Sequence, residues 1–188
     1  MNALIFKYSG RIGHFLRAEA NVSAPTYPVP PRTVLLGLIG AILGLSKDEP
    51  QVTLNDTKIA LAGRIPRTHW HTVKLRKDQP VALPMIVKAN AKIEKSTAPE
   101  KPALICQEWL WQPNFTLYVA LPEPYHYDLH SRLKERRWYF NPCMGLSEMM
   151  ADVELLDNSD YEASSLPFGK YEISTVVHQS AGQLDTDR

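Results

Sequence analysis

The first apolar block, Ala3 to Tyr8 (ALIFKY), is short and aromatic and closes on Ser9-Gly10, which predicts a strand ending in a turn. The segment that follows, GRIGHFLRAEANVSAPTYPVPP, is too rich in Gly and Pro for a helix and too basic to be buried. Long connections inside a compact domain are usually functional. Pro30 and Pro31 stand at the entrance to an apolar run, Thr33 to Leu45 (TVLLGLIGAILGL). A missing N–H costs nothing there, so the pattern predicts a helix. Gly37, Gly40 and Gly44 fall on one face of it. Each costs about 1 kcal/mol relative to Ala, and close approach of the helix backbone to a sheet or a bound strand would offset that. The run is well short of the ~20 residues that span a bilayer. It reads as a core helix.

Thr57 to Ile65 (TKIALAGRI) predicts a second strand, and the alternation in Thr68 to Lys77 (THWHTVKLRK) a third. From Asp78 to Ala103 the pattern breaks into a Lys-rich segment punctuated by prolines, expected to form an extended hairpin or mobile projection. Leu104 to Trp111 and Asn114 to Leu121 predict an aromatic-rich strand pair across Gln112-Pro113. Tyr125 to Trp138 reads as a helix carrying RLKERR, Asn141 to Leu146 as a tight turn, and Glu148 to Leu156 as a last strand. This order is the βαββαβ pattern of a ferredoxin-like α+β domain, with an enlarged connection before its third core strand. We expect the domain over residues 1–157 and a polar, partly ordered tail over 158–188.

At 188 residues, 44% hydrophobic and 22% charged, the chain suits one globular domain. Two cysteines, Cys106 and Cys143, exclude a disulfide scaffold and a Cys-rich zinc module and fit a reducing cytosol. The N-terminus has no secretory pattern. The net charge of +1 argues against a nucleic-acid partner, but its distribution argues the other way. Residues 1–47 carry five Lys/Arg against one acid, and residues 58–101 carry ten against three. Residues 148–188 carry two against nine. A basic front half cancelled by an acidic end fits a face built for a polyanion, or ordinary scatter on a solvated surface.

Several residues invite chemistry. His126 and His130 are four apart on a helix, but no third ligand accompanies them, so a solvated helix face is the better reading than zinc. His69 and His71, two apart on a strand, share a face. With Tyr27 and Lys74 they could form a metal-independent endoribonuclease, supplying a base for a 2′-OH and an acid for the leaving oxygen. Trp70 and Lys74, on the opposite face, could stack a base and hold a phosphate, though a strand Trp is more often core. The RLKERR run reads as a solvated face. No Gly-rich loop of the dinucleotide or Walker type occurs, so no cofactor is indicated.

The stretch Thr26 to Leu45, TYPVPPRTVLLGLIGAILGL, resembles the opening helix of the handle-binding subunit of type I CRISPR Cascade complexes, the Cas-five family of the RAMP superfamily. The segments GRIGHFLR, QEWLWQPNFTLYVAL and NPCMGLSEMMADVEL agree in order, and the wording is most similar to type I-B relatives. The resemblance implies a RAMP domain with an inserted β-hairpin thumb, here about residues 78–103. It implies a cytoplasmic, non-catalytic subunit that holds the 5′ handle of the crRNA and caps the backbone filament. Its partners would be the backbone and large subunits, with target DNA engaged indirectly and no membrane. On this reading Tyr27, His14 and Phe15 stack bases, and Arg11, Arg17 and Arg32 hold phosphates, Arg32 beside the free N–H groups of a helix start. Lys88 and Lys92 are the corresponding candidates in the thumb. The type I-C branch of the family, which processes precursor crRNA, uses a Tyr near this helix and a consecutive Lys-His pair. Tyr27 matches the Tyr, but no Lys-His dipeptide occurs in this sequence. Family members also tend to carry more chain beyond the RAMP domain.

Overall fold

Alternation along the central strands decides which face is covered. In the computed structural model, which describes residues 2–75, 103–156, 161–162 and 167–173, strand β1 (Asn2–Gly10) buries Leu4, Phe6 and Tyr8 on one face. Strand β6 (Asn114–Ala120) buries Phe115, Leu117 and Val119 and leaves Thr116 and Tyr118 half-buried between them. With β3 (Lys58–Gly63) and β7 (Ala151–Leu155) these form a sheet of order β3-β6-β1-β7. Each neighbouring pair is antiparallel. Helices α1 (Arg32–Leu43) and α3 (Tyr125–Glu135) follow β1 and β6 in the chain, which completes the βαββαβ order. Their Ile39, Ile42, Leu129 and Leu133 join Phe6, Phe115 and Leu117 in one core. Each such fully buried side chain contributes about 1.5–3 kcal/mol. Tyr8 lies in that core with its hydroxyl donating to the Cys143 carbonyl at 2.6 Å. Burial pushes its phenol well above the ordinary range.

Helix α1 is buried on most sides, and its ends are finished by distant segments. It starts at Arg32 after Pro31, whose carbonyl accepts from Val34 and Leu35. It stops at Gly44, which takes the left-handed conformation (φ 87°) that favours glycine. The last carbonyls are then met from the far side of α3, by Tyr139 N–H to Ile42, Phe140 N–H to Ala41 and Arg132 Nη1 to Ile42. The glycines therefore do not share one role. Gly40 faces the short helix α2 (Glu49–Thr53), where an added Cβ would stand 2.2 Å from Pro50 Cγ. Gly44 is the cap, and a Cβ on Gly37 would meet nothing within 4 Å. The close neighbour of this helix is α2, not a sheet.

Two expectations about element ends are corrected. The helix expected to reach Trp138 ends at Glu135, because Arg136 turns left-handed (φ 51°) so that the chain can cross to α1. The last strand begins at Ala151, since Ser147 to Met150 close a loop through Met149 N–H to Leu146 and Met144 N–H to Met149.

The largest correction concerns the expected strand pair across Gln112-Pro113. Strand β5 (Ala103–Trp111) pairs with β4 (Arg67–Leu75) and with the short β2 (Ile12–Gly13), in a separate three-stranded sheet of order β2-β5-β4. Gln112 is left-handed (φ 48°) and bonds through its N–H to the Arg11 carbonyl. The Pro113 carbonyl accepts from Gly10. The joint carries the chain from one sheet into the other, so β5 and β6 are consecutive but not partners. Residues 76–102 lie outside the described residues, and with them most of the projection expected over 78–103. The strands on either side of them, β4 and β5, pair with each other as a hairpin. Past residue 157, β8 (Tyr161–Glu162) pairs with Ala3 and Asn2 of β1. Among the described residues no helix is long and apolar enough to cross a membrane.

Candidate nucleic-acid interface

The connection from Gly13 to Pro31 is ordered by its own backbone. Leu16 bridges to Thr26, Tyr27 N–H bonds to Phe15 O at 2.7 Å, and Arg17 N–H to Pro25 O. Ala24 then lies along β5, donating to Cys106 O and accepting from Glu108 N–H. The Glu108 carboxylate takes the Thr26 N–H at 3.1 Å. The result is a folded-back collar against the edge of β5. Its near end is seated by Gly145 (φ 96°), where any Cβ would collide with the His14 carbonyl.

This folding corrects two of the proposed stacking residues. His14 is 2% exposed and its Nδ1–H donates to Glu108 O at 2.7 Å, while Phe15 is 2% exposed in the core. Neither offers a ring face to a base. A loop that looks solvated in sequence hides them because it doubles back. Arg17 remains half-exposed, its Nε–H donating to Thr26 O at 2.9 Å and its guanidinium 5.9 Å from the centre of the Tyr27 ring. Tyr27 is half-buried, and its hydroxyl accepts from Ala18 N–H. Arg32 is exposed, with Nη2 bonded to the carbonyls of Asn55 and Thr57 at 2.8 and 2.9 Å. Neutral carbonyls orient a guanidinium without cancelling its charge. Arg11 is exposed with no side-chain partner among the described residues. Lys88 and Lys92 lie outside them.

The four candidates for RNA cleavage are divided. Register places His69 opposite Trp109 and His71 opposite Gln107, so both histidines share a face, and the His71 and Trp109 ring centres are 4.6 Å apart. Lys74, opposite Leu104, falls on the other face with Trp70. Tyr27 belongs to the collar, its hydroxyl already bonded. Strand parity therefore separates Lys74 from the histidines it was grouped with. No group of three or more His, Cys, Asp or Glu side chains able to hold a metal comes together among the described residues.

The arginines in and just past α3 have acidic neighbours. Arg132 pairs with Asp128, Arg136 with Asp152 and Arg137 with Glu135. The hairpin is different. From Arg67 to Thr72, and again at Lys74, β4 is exposed, so it is covered on neither face. Trp111 is 50% exposed between Arg67 and Ile12, its partners in register. The alternation in QEWLW already puts Trp109 and Trp111 on one face. Arg64, Arg67 and the pairing with RTHWH needed the long-range register, and the sequence reading passed over them.

No curated protein matches the chain. Among solved structures, a chain described as a CRISPR RNA-guided surveillance complex superposes with a TM-score of 0.54 at 16% identity, covering 80% of this chain and 60% of that one. A functionally uncharacterized protein from Streptococcus mutans gives 0.50 at 13% identity, covering 83% and 67%. A crystal structure of a Cas protein also gives 0.50 at 13%, covering 87% and 67%. These likenesses show the α+β fold, and the chain spans 60% of the length of the first of them. The model of the family described as CRISPR-associated protein (Cas_Cas5) matches residues 3–182, so this chain belongs to that family.

Proposed function

We propose that this chain is a non-catalytic, cytoplasmic RNA-binding subunit of a type I CRISPR surveillance complex. In this reading it holds the 5′ handle of the crRNA and caps the backbone filament beside the backbone and large subunits, meeting target DNA through the complex. The observation that carries it, on a chain of this family, is Arg32. Its guanidinium sits at the start of α1, aimed by two carbonyls and in no ion pair among the described residues. Arg17 beside Tyr27 repeats the arrangement within the collar, with a carboxylate no nearer than Glu19 at 3.9 Å. A preset cation at a helix start favours a polyanion held in fixed register.

Handle-RNA affinity measured at two salt concentrations tests it. Arg32→Ala should weaken binding roughly tenfold to a hundredfold, as loss of a charge-assisted bond worth ~1.5–3 kcal/mol requires, and should flatten the salt dependence. A lower melting temperature with unchanged affinity and salt slope would assign Arg32 to the α2–β3 connection alone. The absence of catalysis is supported by the division of Tyr27, His69, His71 and Lys74 described above. Labelled repeat RNA incubated with the chain, with and without divalent ions, should stay uncut. Cleavage lost in Tyr27→Phe would establish the endoribonuclease instead.

A further inference from the structure

A strand at the edge of a sheet presents a row of unpaired N–H and C=O groups, and folded proteins keep such rows short, covered or charged. Most edges here follow that rule. Strand β2 has two residues, β3 has six and closes on Gly63, and β7 has five, with Asp152 and Glu154 exposed. Strand β5 is covered on its second side, by β2 at Leu110 and Trp111 and by the collar, where Ala24 bridges to Gln107. Strand β4 is the exception. Its nine residues pair one to one with β5, from Arg67 opposite Trp111 to Leu75 opposite Ala103, without a bulge. It contains no Pro and no Gly, and among the described residues no strand pairs with its outer side.

Residues of an antiparallel strand bond alternately to one side and the other, so about half of the β4 amides face outward. The side chains beside that row have a definite pattern. Parity puts Arg67, His69 and His71 on one face and Thr68, Trp70, Thr72 and Lys74 on the other. All of them are exposed, Trp70 by 47%. Strand β4 holds no acid, and the acid opposite Trp70 on β5, Glu108, is already bonded to Thr26 N–H. A strand added to this edge would set its own side chains directly beside these, where opposite charges attract and like charges repel. Acids therefore suit the face with Arg67, and β-branched or aromatic residues suit the face with Trp70 and Thr72. An RNA strand would meet Arg67 but has no ladder of alternating N–H and C=O groups to offer the row of amides.

We propose that the outer edge of β4 is a strand-addition site for an extended segment of a protein partner, acidic on one face and apolar on the other. Backbone hydrogen bonds hold the segment, Arg67 selects its acidic face and Trp70 packs its apolar side chains. A second copy of this chain suits the edge less well, because β4 laid against β4 brings no acid to either Arg67. The inference goes beyond the RNA-binding reading and does not depend on it.

The test uses the 188-residue chain and a fluorescent peptide of the same length as β4 that alternates glutamate and valine, read by anisotropy. The peptide should bind, and its counterpart with lysine in place of glutamate should bind roughly tenfold more weakly. Methylating the peptide's backbone nitrogens at every second residue separates edge pairing from side-chain contact. One alternate set should abolish binding and the other leave it unchanged, because only one side of the peptide meets β4. Arg67→Glu should weaken binding roughly tenfold and Trp70→Ala roughly threefold. Lys134→Glu, an equal change of charge on α3, should have no effect. No binding at about 1 mM peptide, or equal effects of the two methylated sets, overturns strand addition. If Arg67→Glu weakens single-stranded RNA binding but leaves peptide affinity intact, the edge serves nucleic acid and the proposal is wrong. Self-association of the free chain that disappears in Arg67→Glu would give the edge to a second copy and also overturn it. The peptide assay contains no RNA, so its failure leaves the RNA-binding reading standing.

Discussion

The two sheets of this domain are built from similar residues and are used in opposite ways. The sheet of β3, β6, β1 and β7 hides Phe6, Phe115 and Leu117 beneath two helices. The sheet of β2, β5 and β4 leaves Trp70, Leu104 and Trp111 about half or more exposed. β-branched and aromatic residues favour strands in both, but only the first turns them into stability, because burial is what removes apolar area from water. Exposed aromatics on a paired ribbon keep their contact energy for something else. Stability belongs to the first sheet.

Paired truncations would break that comparison most directly. Leu129→Ala, in the covered core, should cost about 2–5 kcal/mol, whereas Leu104→Ala, 65% exposed on the hairpin, should cost no more than about 0.5 kcal/mol. Urea unfolding of the two variants gives the answer, and equal losses would show the hairpin to be part of the core. The collar that joins the two regions is tested at its seat. Gly145→Ala imposes a left-handed Ala against the His14 carbonyl and should cost about 3 kcal/mol. A loss below about 1 kcal/mol would mean that the collar rests on nothing rigid.

Smaller effects sharpen the picture. The Tyr8 phenol is held neutral by burial, so its folded pKa lies above the unfolded value of about 10. Its contribution is complete below pH 10 and declines above it, by about 1.4 kcal/mol per pH unit, as the unfolded chain ionises and the folded one cannot. Tyr8→Phe should remove that alkaline slope while costing about 1 kcal/mol at neutral pH through the lost bond to Cys143. An unchanged slope in thermal melts from pH 9 to 11 would place the ionising group elsewhere. Gly37→Ala should stabilise the isolated chain by about 0.5–1 kcal/mol, since the added methyl meets nothing. Loss of assembly in that more stable variant would show that a partner comes close to α1 at this point.

The core of the fold was legible because its signals are local. Short apolar and aromatic blocks marked β1 and β6, the prolines marked the start of α1, and the segment carrying RLKERR marked α3. What escaped depends on contacts far apart in sequence. Nothing in QEWLWQPNF shows that Gln112 turns left-handed and sends β5 and β6 to different sheets. Nothing in GRIGHFLR shows that His14 is sealed by the carbonyl of Glu108, ninety-four residues later. Arg32 and Arg17 were legible as cations at a helix start and in a loop, but the carbonyls that aim them were not. Arg67 drew no attention because its neighbour Trp111 is reached only through the hairpin.

The position of β1 also governs how the chain is made. It lies between β6 and β7 in the sheet, and its partners run to Leu155. During synthesis from the N-terminus, β1 and the nearly all-apolar α1 emerge long before either neighbour of β1 exists. The segments that finish α1, Arg132 and Tyr139-Phe140, come about a hundred residues after the helix they complete. Such non-local pairing is slow and leaves apolar surface open while it waits. Nascent chains that stall before Arg132 leave α1 bare, and it is these chains that must be shielded by chaperones or lost to aggregation.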